Sequence, residues 1–558
     1  MLYEALQAGN SVADAPSQEA RVSPFAQVMV SISQQEYVQL KWDAHYWQMS
    51  HQRAVGREAE LKARIETLLA QVRDLRQRLF GRKTEKSTAQ SEQQRKPPQA
   101  KRPRGQQPGS RGHGRVDFSH LPEREDLREL NEAQRCCPNC GKLAAEFSPS
   151  EDSEVIEIEV EAYRRVIRRK RYRPSCDCAY LPGIMTAPAP PRLIPKGILG
   201  ISLWVEILLA KYLYAQPTQR LLRSWTSLEL PLPQGTVIGG LKKLAPMFTP
   251  VTQALQVQQL TEGLCHADET GWRVFEPLAD KVGYRWYLWV FRSASAMVYV
   301  MAPGRGAKVP LKYFSKLLVQ TVVVCDRYAA YKKLARIVGL ILAFCWAHVR
   351  RDFLTLARGY PDTEAWAMGW VQRIGTLYHL NDARVAVRDQ PLSFAAADGE
   401  LRAHLAQMVA ERDAQIADAS LRRVARKVLV SLQNHWEGLT VFVERPETIA
   451  MDNNAAETAL RNEVLGRRAY YGSGSVWAAH LAGSLFSILM TLVHCWQINP
   501  RRWLQEYLQA CAEQGGHAPK DLSPFLPWLM SAERLAAMRL TGGSPTPAAA
   551  HDIVLDTS

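Results

Sequence analysis

Nothing at the start of the sequence reads as a secretion signal, because Met1 to Gln35 lacks a basic opening followed by an apolar core. Long unbroken hydrophobic runs are also missing. The most apolar stretches are Ile198–Ala215, interrupted by Glu206 and Lys211, and Leu481–Trp496, which is short for a bilayer. Both read as buried helices, and no membrane partner is expected. Cysteine is sparse, ten in 558 residues, and five of the ten crowd between Cys136 and Cys178. That distribution excludes a disulfide framework and favours a local metal site in a reducing cytoplasm.

Acidic residues are absent from two strongly basic stretches. Arg95 to Arg115 and Arg164 to Arg173 each carry seven Lys or Arg and no acid, within a chain of net charge +15 and pI near 9.3. One such run is ordinarily a solvated face. Two in one chain favour a polyanionic partner, nucleic acid.

What is present organises the rest. The length calls for roughly three or four domains, and 46% hydrophobic with 22% charged residues is the composition of an ordinary soluble protein. Residues 1–35 are expected as a disordered tail. In residues 36–82, Leu61, Ile65, Leu68, Val72, Leu75 and Leu79 alternate steps of four and three. This is a coiled-coil seam, or equally an amphipathic helix packed on its own protein. Residues 83–115, rich in Pro, Gly and Gln, read as a disordered basic linker. Within it Arg102, Arg104 and Arg111 are candidate phosphate contacts.

Residues 116–185 read as a small β module. Glu157 to Glu161 alternates with period two and precedes the basic run, which predicts two antiparallel strands. Arg164 and Arg168 are then either DNA contacts or charges neutralised by the acidic strand. Cys137-Pro-Asn-Cys140 is a zinc half-site, and Cys176-Asp-Cys178, spaced more tightly than usual, is its expected partner, with Cys136 able to replace Cys137. Residues 186–258 read as helical. Gln216–Ser227, a break at Leu228–Pro233 and a helix from Gln234 to about Met247 are compatible with a helix-turn-helix. Gln234 and Lys242 are its candidate base-reading residues.

From Gly263 the pattern changes to strands: Leu264–His266, Tyr284–Arg292, Met297–Met301, Thr321–Cys325 and Leu340–Cys345, with helices expected at Lys308–Leu318 and Ala330–Val338. That order, in a multidomain α/β chain, is the order of a ribonuclease-H-like domain. Its parts would be residues 259–348 and 450–495, with a helical insertion at 349–449 and a helical region and tail at 496–558.

Phosphodiester chemistry needs an activated oxygen nucleophile and charge stabilisation at the leaving oxygen. Two Mg²⁺ or Mn²⁺ ions on about three carboxylates do both. Asp268 follows the strand in CHADETGWRV, Asp326 closes TVVVC, and Glu457 lies on the helix in MDNNAAETALR. Glu269 is expected off the opposite strand face from Asp268, and Asp452 as an N-cap. His348, just past the fifth strand, is a possible neighbour of the site or a structural histidine. Arg461, Arg467 and Arg468 are candidate phosphate contacts or a solvated helix face.

The stretches LRQRLFGRKTEKS, RGQQPGSRGHGR, HADETGWRV, CDRYAAY, CWAHVRRDF, DNNAAETALRNEVLGRR and YYGSGS resemble, in order, motifs of the large transposases of the insertion sequence 66 family. INPRRWLQEYL and LPW resemble that family's ending. The resemblance places the family's acidic triad on Asp268, Asp326 and Glu457. It implies excision and insertion of a bacterial mobile DNA element, binding of element ends and target DNA, and assembly as at least a dimer on DNA. It also implies one Zn²⁺ in the cysteine module and small companion proteins. The alternatives are a zinc-dependent DNA-binding regulator with a decayed catalytic domain, or another nuclease of the same fold.

Overall fold

The structure, a computed structural model, describes residues 30–80, 124–125, 131–136, 138–140, 142–145, 155–156, 160–173, 184–277, 285–317, 319–446 and 448–540. Contacts divide the chain into two units, Met1–Lys83 and Thr84–Ser558. In the first, α1 (Gln34–Phe80) is one helix of 47 residues. Its expected seam is solvent-facing: Leu61, Ile65, Leu68, Val72, Leu75 and Leu79 are all exposed.

The second unit is mixed α/β and mostly helical. Its sheet has five strands: β1 (Leu264–Trp272), β2 (Trp286–Arg292), β3 (Met297–Ala302), β4 (Val322–Cys325) and β5 (Ile341–Phe344). Their order is β3-β2-β1-β4-β5. β1, β4 and β5 run parallel, while β2 is antiparallel to both of its neighbours. The near-continuous apolar sequences WYLWVFR and VVVC suit strands covered on both faces, and all four residues of β4 are buried.

The outer edge of β3 is closed by the longest apolar helix. Ser487 and Thr491 accept the backbone N–H groups of Tyr299 and Met297 at 2.8 and 2.9 Å. These bonds satisfy donors that an edge strand otherwise leaves open. Gly483 permits the approach, since a Cβ there would lie 3.1 Å from the Tyr299 carbonyl. The helical run Val476–Cys495 spans 20 residues with mean hydropathy 1.7, long and apolar enough by itself to cross a membrane. Length therefore does not exclude a span, contrary to the sequence expectation. Its place against the sheet, with 67% of it buried, accounts for its composition.

The helices α2 (Ile201–Tyr212), α3 (Thr218–Thr226) and α4 (Gln234–Gln259) lead directly into the sheet. α4 runs well past Met247, through Pro246 and Pro250. Each proline removes one helical hydrogen bond, at about 3 kcal/mol in an unsupported helix. Burial of Met247, Phe248, Val251 and Leu255 offsets that cost. Gly240 is required where α4 meets α2, because a Cβ there would fall 2.0 Å from the Trp204 ring.

Around the sheet lie α5 (Lys308–Tyr313) and α6 (Ala329–Val338). Long helices follow β5, namely α7 (Trp346–Gly359), α8 (Glu364–Ala386), α9 (Pro391–Ala417) and α10 (Arg423–Asn434), and then two single turns, Trp436–Leu439 and Val441–Glu444. Phe353 of α7 stacks on Trp370 of α8 at 5.5 Å, and Ile374, Leu401, Met408 and Leu429 continue that core. The chain returns to the sheet through α11 (Asn454–Ala459), α12 (Arg461–Tyr470) and α13 (Val476–Met490).

Glu157 to Glu159 of the expected acidic strand lie outside the described residues. Residues 160–170 have no regular structure, and only Arg171–Tyr172 pairs, with Met185–Thr186.

Candidate active site

The site is built where β4 ends beside the middle of β1, a strand that runs past the expected end at His266 to Trp272. Their parallel register pairs His266 with Val324, and Asp268 and Asp326 each stand two residues further on. Two carboxylates are thereby set side by side, one in the middle of β1 and one just past the end of β4. Asp268 accepts the Glu269 backbone N–H at 2.8 Å, and Asp326 that of Tyr328 at 2.9 Å. Glu457 enters from α11, with its side chain one-third exposed.

These acids act on one another. Burial first, then the negative charges of Glu269, Glu457 and Asp326, push the Asp268 carboxyl up to about 7, against the lowering effect of its backbone hydrogen bond. Carboxylates brought this close are a donor set suited to a hard divalent cation, which relieves their repulsion.

Asn453 fixes the helix that carries Glu457. Its side-chain amide donates to the Ala267 carbonyl at 2.8 Å, its Oδ1 meets His266 Nδ1 at 3.1 Å, and its backbone N–H reaches Cys345 Sγ at 3.3 Å. Burial holds His266 down to about 4, so that ring is neutral. Arg292 and Tyr299, from β2 and β3, donate to the carbonyls of Ala455 and Ala459 at 2.9 and 2.6 Å. The third acid is thus referenced to three strands of the sheet. Asn453, not Asp452, is the N-cap of α11, and Asp452 accepts the Asn454 N–H at 3.0 Å.

Glu269 serves another partner. Its side chain is fully buried, accepting from Arg305 Nε at 2.6 Å and from the Tyr331 hydroxyl at 2.7 Å. Arg305 also lies 3.9 Å from Asp326 and over the Tyr328 ring at 4.1 Å. Neither Asn453 nor Arg305 stood out in the sequence. Neighbouring Gly304 and Gly306 were the available signal for a loop that turns tightly at Arg305.

His348 is beside the acids: its Nε2 is 3.8 Å from Glu457 Oε1, and burial lowers its basicity. The helix after Glu457 breaks at Leu460, so Arg461 is not one continuous turn further on; it and Arg468 are exposed. Arg467 differs, donating to Thr270 Oγ1 at 3.1 Å and to the Gly271 carbonyl of β1. It is a tie between elements.

Elsewhere the candidates scatter. Arg164 and Arg168 are exposed on the irregular basic segment. Of the expected zinc ligands only Cys140 is described, as an exposed thiol, and the alternative Cys136 is exposed as well. Cys137, Cys176 and Cys178 lie outside the described residues, as do Arg102, Arg104 and Arg111. Gln234 and Lys242 are exposed, and Gln234 lines an open cleft of about 520 Å³ with Gln219, Arg223 and Thr226.

An α/β domain with acids gathered from two adjacent parallel strands and a helix, in so basic a chain, is the form of a nucleic-acid-processing protein. Residues 196–481, just over half the chain, match the model of the Transposase IS66 family, and the chain belongs to that family. It is 25% identical over 453 residues to the uncharacterized protein y4jD of Sinorhizobium fredii (strain NBRC 101917 / NGR234), covering 77% of this chain and 84% of the relative. Uncharacterized protein y4hP of the same strain is 25% identical over 436 residues, covering 73% and 75%. Membership implies DNA as partner and use of divalent metal.

Proposed function

We propose that this chain is a DDE transposase, binding the ends of its insertion sequence and carrying out strand cleavage and strand transfer at Asp268, Asp326 and Glu457. The observation that carries the reading is the register that sets Asp268 beside Asp326, together with the negative charge that Glu457 adds at Asp268. The strand order β3-β2-β1-β4-β5, with β2 alone reversed, supports a ribonuclease-H-like domain. Its two parts are residues 259–348 and 450–495, and the helices of 349–449 are inserted between them.

The donor set fits Mg²⁺ or Mn²⁺, and the three acids would hold them. When bound, two such ions supply Lewis-acid stabilisation and an activated oxygen nucleophile. The protein's own part is positional. β1 and β4 fix two carboxylates, and Asn453 holds the third against the same strands. Arg305 neutralises Glu269, so that this fourth acid does not add to the charge facing DNA.

DNA affinity is assigned to the basic segments, Arg102, Arg104, Arg111, Arg164 and Arg168, and to exposed Arg461 and Arg468. Discrimination of element ends is assigned to the start of α4, where Gln234 and Lys242 face outward. The exposed seam of α1 fits pairing with a second copy of the chain. Cys137, Cys140, Cys176 and Cys178 are proposed to hold one Zn²⁺ in residues 116–185. The hairpin supports this: Cys136 bridges to Leu143, and Ala144 donates to Arg135 at 2.8 Å.

Purified protein incubated with element-end DNA and a divalent ion tests the reading. Nicked ends followed by strand-transfer products are expected. DNA binding without cleavage would identify a regulator, and cleavage without transfer another nuclease.

A further inference from the structure

One group of side chains near the acids has a different chemistry. Cys345 is the N-cap of α7, immediately after β5, and His348 lies one turn into that helix. With Glu457 they bring a sulfur, an imidazole nitrogen and a carboxylate oxygen within 4.8 Å of one another. We propose that Cys345, His348 and Glu457 form a second cation site, selective for a borderline-soft divalent ion of the Zn²⁺ class, that shares Glu457 with the acidic cluster.

The donor types make the selection. Thiolate and imidazole suit Zn²⁺ or Co²⁺, whereas Mg²⁺ prefers oxygen alone. The spacing Cys-Trp-Ala-His, two donors three residues apart, lets one helical turn present both to one ion. Cys345 is fully buried, and its sulfur receives backbone N–H groups from Asn453, at 3.3 Å, and from His348. Such outer-shell donors at a helix N-terminus orient and stabilise a metal-bound thiolate.

His348 supplies the second pointer. Its Nδ1 is buried with no hydrogen-bond partner among the described residues, a state that costs free energy unless a ligand or ion meets it. Two cations flank the histidine: Arg351 is exposed to solvent, and Arg327, which donates to the His348 carbonyl at 3.4 Å, is itself paired with Asp352. Its charge is largely answered before an ion arrives.

Sharing Glu457 has a consequence. A carboxylate committed to the Cys–His pair is withdrawn from Asp268 and Asp326, so Zn²⁺ would oppose the Mg²⁺-dependent reaction. This consequence rests on the proposed triad, whereas the binding itself does not.

Full-length protein stripped by chelator and titrated with Co²⁺ tests the binding. Thiolate-to-cobalt charge transfer reports coordination by sulfur, and Cys140→Ser serves as the background that removes the separate cysteine module. In that background one equivalent of the band is expected. It should disappear in Cys345→Ser and weaken at least about tenfold in affinity in His348→Gln and Glu457→Gln. Zn²⁺ should bleach the band and excess Mg²⁺ should not. Asp268→Asn should retain the band while losing strand transfer. If Asp268→Asn keeps strand transfer while the band behaves as expected, the triad fails and the cation site stands. An unchanged band and stoichiometry in Cys345→Ser overturns the site, whatever becomes of the triad. If Cys345→Ser does not fold, the half-buried His348→Gln decides, and unaltered Co²⁺ affinity there overturns it equally.

Discussion

Arg305 holds Glu269 at 2.6 Å, and the same guanidinium stands 3.9 Å from Asp326, so one cation ties together two acids on neighbouring strands. The Glu269 side chain has no solvent exposure, while that of Arg305 is 42% exposed. Removing Arg305 leaves a buried carboxylate with the Tyr331 hydroxyl as its remaining side-chain donor. Arg305→Met should destabilise the protein by about 1–3 kcal/mol, the usual result of stripping a partner from a buried polar group. Arg305→Lys should recover part of the loss. Urea denaturation of the three proteins checks this.

Asn453 bears on function more than on stability. Asn453→Asp keeps the shape but replaces the amide donor with a carboxylate facing the Ala267 carbonyl, 2.8 Å away in the native pair. Strand transfer should fall by at least about tenfold, since misplacement of a catalytic group is costly. Circular dichroism should stay native. Parallel activity and melting measurements would reveal the split, and full activity in Asn453→Asp would remove the positioning role.

Much of the sheet was legible because β-branched and aromatic runs such as VVVC and WYLWVFR leave few other readings. Asp268, Asp326 and Glu457 could be named from strand ends and motif resemblance. Asn453 and Arg305 could not, because their roles arise from contacts 186 and 36 residues away in sequence. α4 was read to about Met247 but continues to Gln259, because packing overrides Pro246 and Pro250, which ordinarily stop helices. The basic run at Arg164 to Arg173 was read as a strand only because it follows the alternating stretch Glu157 to Glu161, and of it only Arg171 and Tyr172 pair.

Glu463 predicts a pH dependence. It is fully buried, and burial pushes its carboxyl up to about 8 from an ordinary 4.5. Neither carboxyl oxygen has a hydrogen-bond partner among the described residues, since the nearby Tyr299 hydroxyl donates to Ala459. Between those values the folded protein keeps a proton that the unfolded chain releases. The contribution to stability is therefore fully present below 4.5 and lost as pH rises through about 8. Glu463→Gln should match the wild type near pH 5 and exceed it near pH 9, with an upper bound of roughly 5 kcal/mol. Denaturant midpoints at the two pH values check the sign.

The arginines of α12 should separate by role. Arg467→Ala loses its bonds to Thr270 and Gly271 and should lower the melting temperature. Arg461→Ala and Arg468→Ala remove exposed charges and should leave melting unchanged. Each of these two should weaken DNA binding and reduce the log–log salt slope by nearly one. Binding isotherms at two salt concentrations distinguish the cases.

The central claim is that three carboxylates from two strands and one helix perform one job. Asp268→Asn, Asp326→Asn and Glu457→Gln each remove a charge with little change of shape, so DNA binding and folding should persist. Strand cleavage on element-end DNA, measured with the divalent ion in excess, is the direct test. The account predicts loss of cleavage, by a factor on the order of a thousand or more, in all three variants. Wild-type cleavage in any one of them would contradict it.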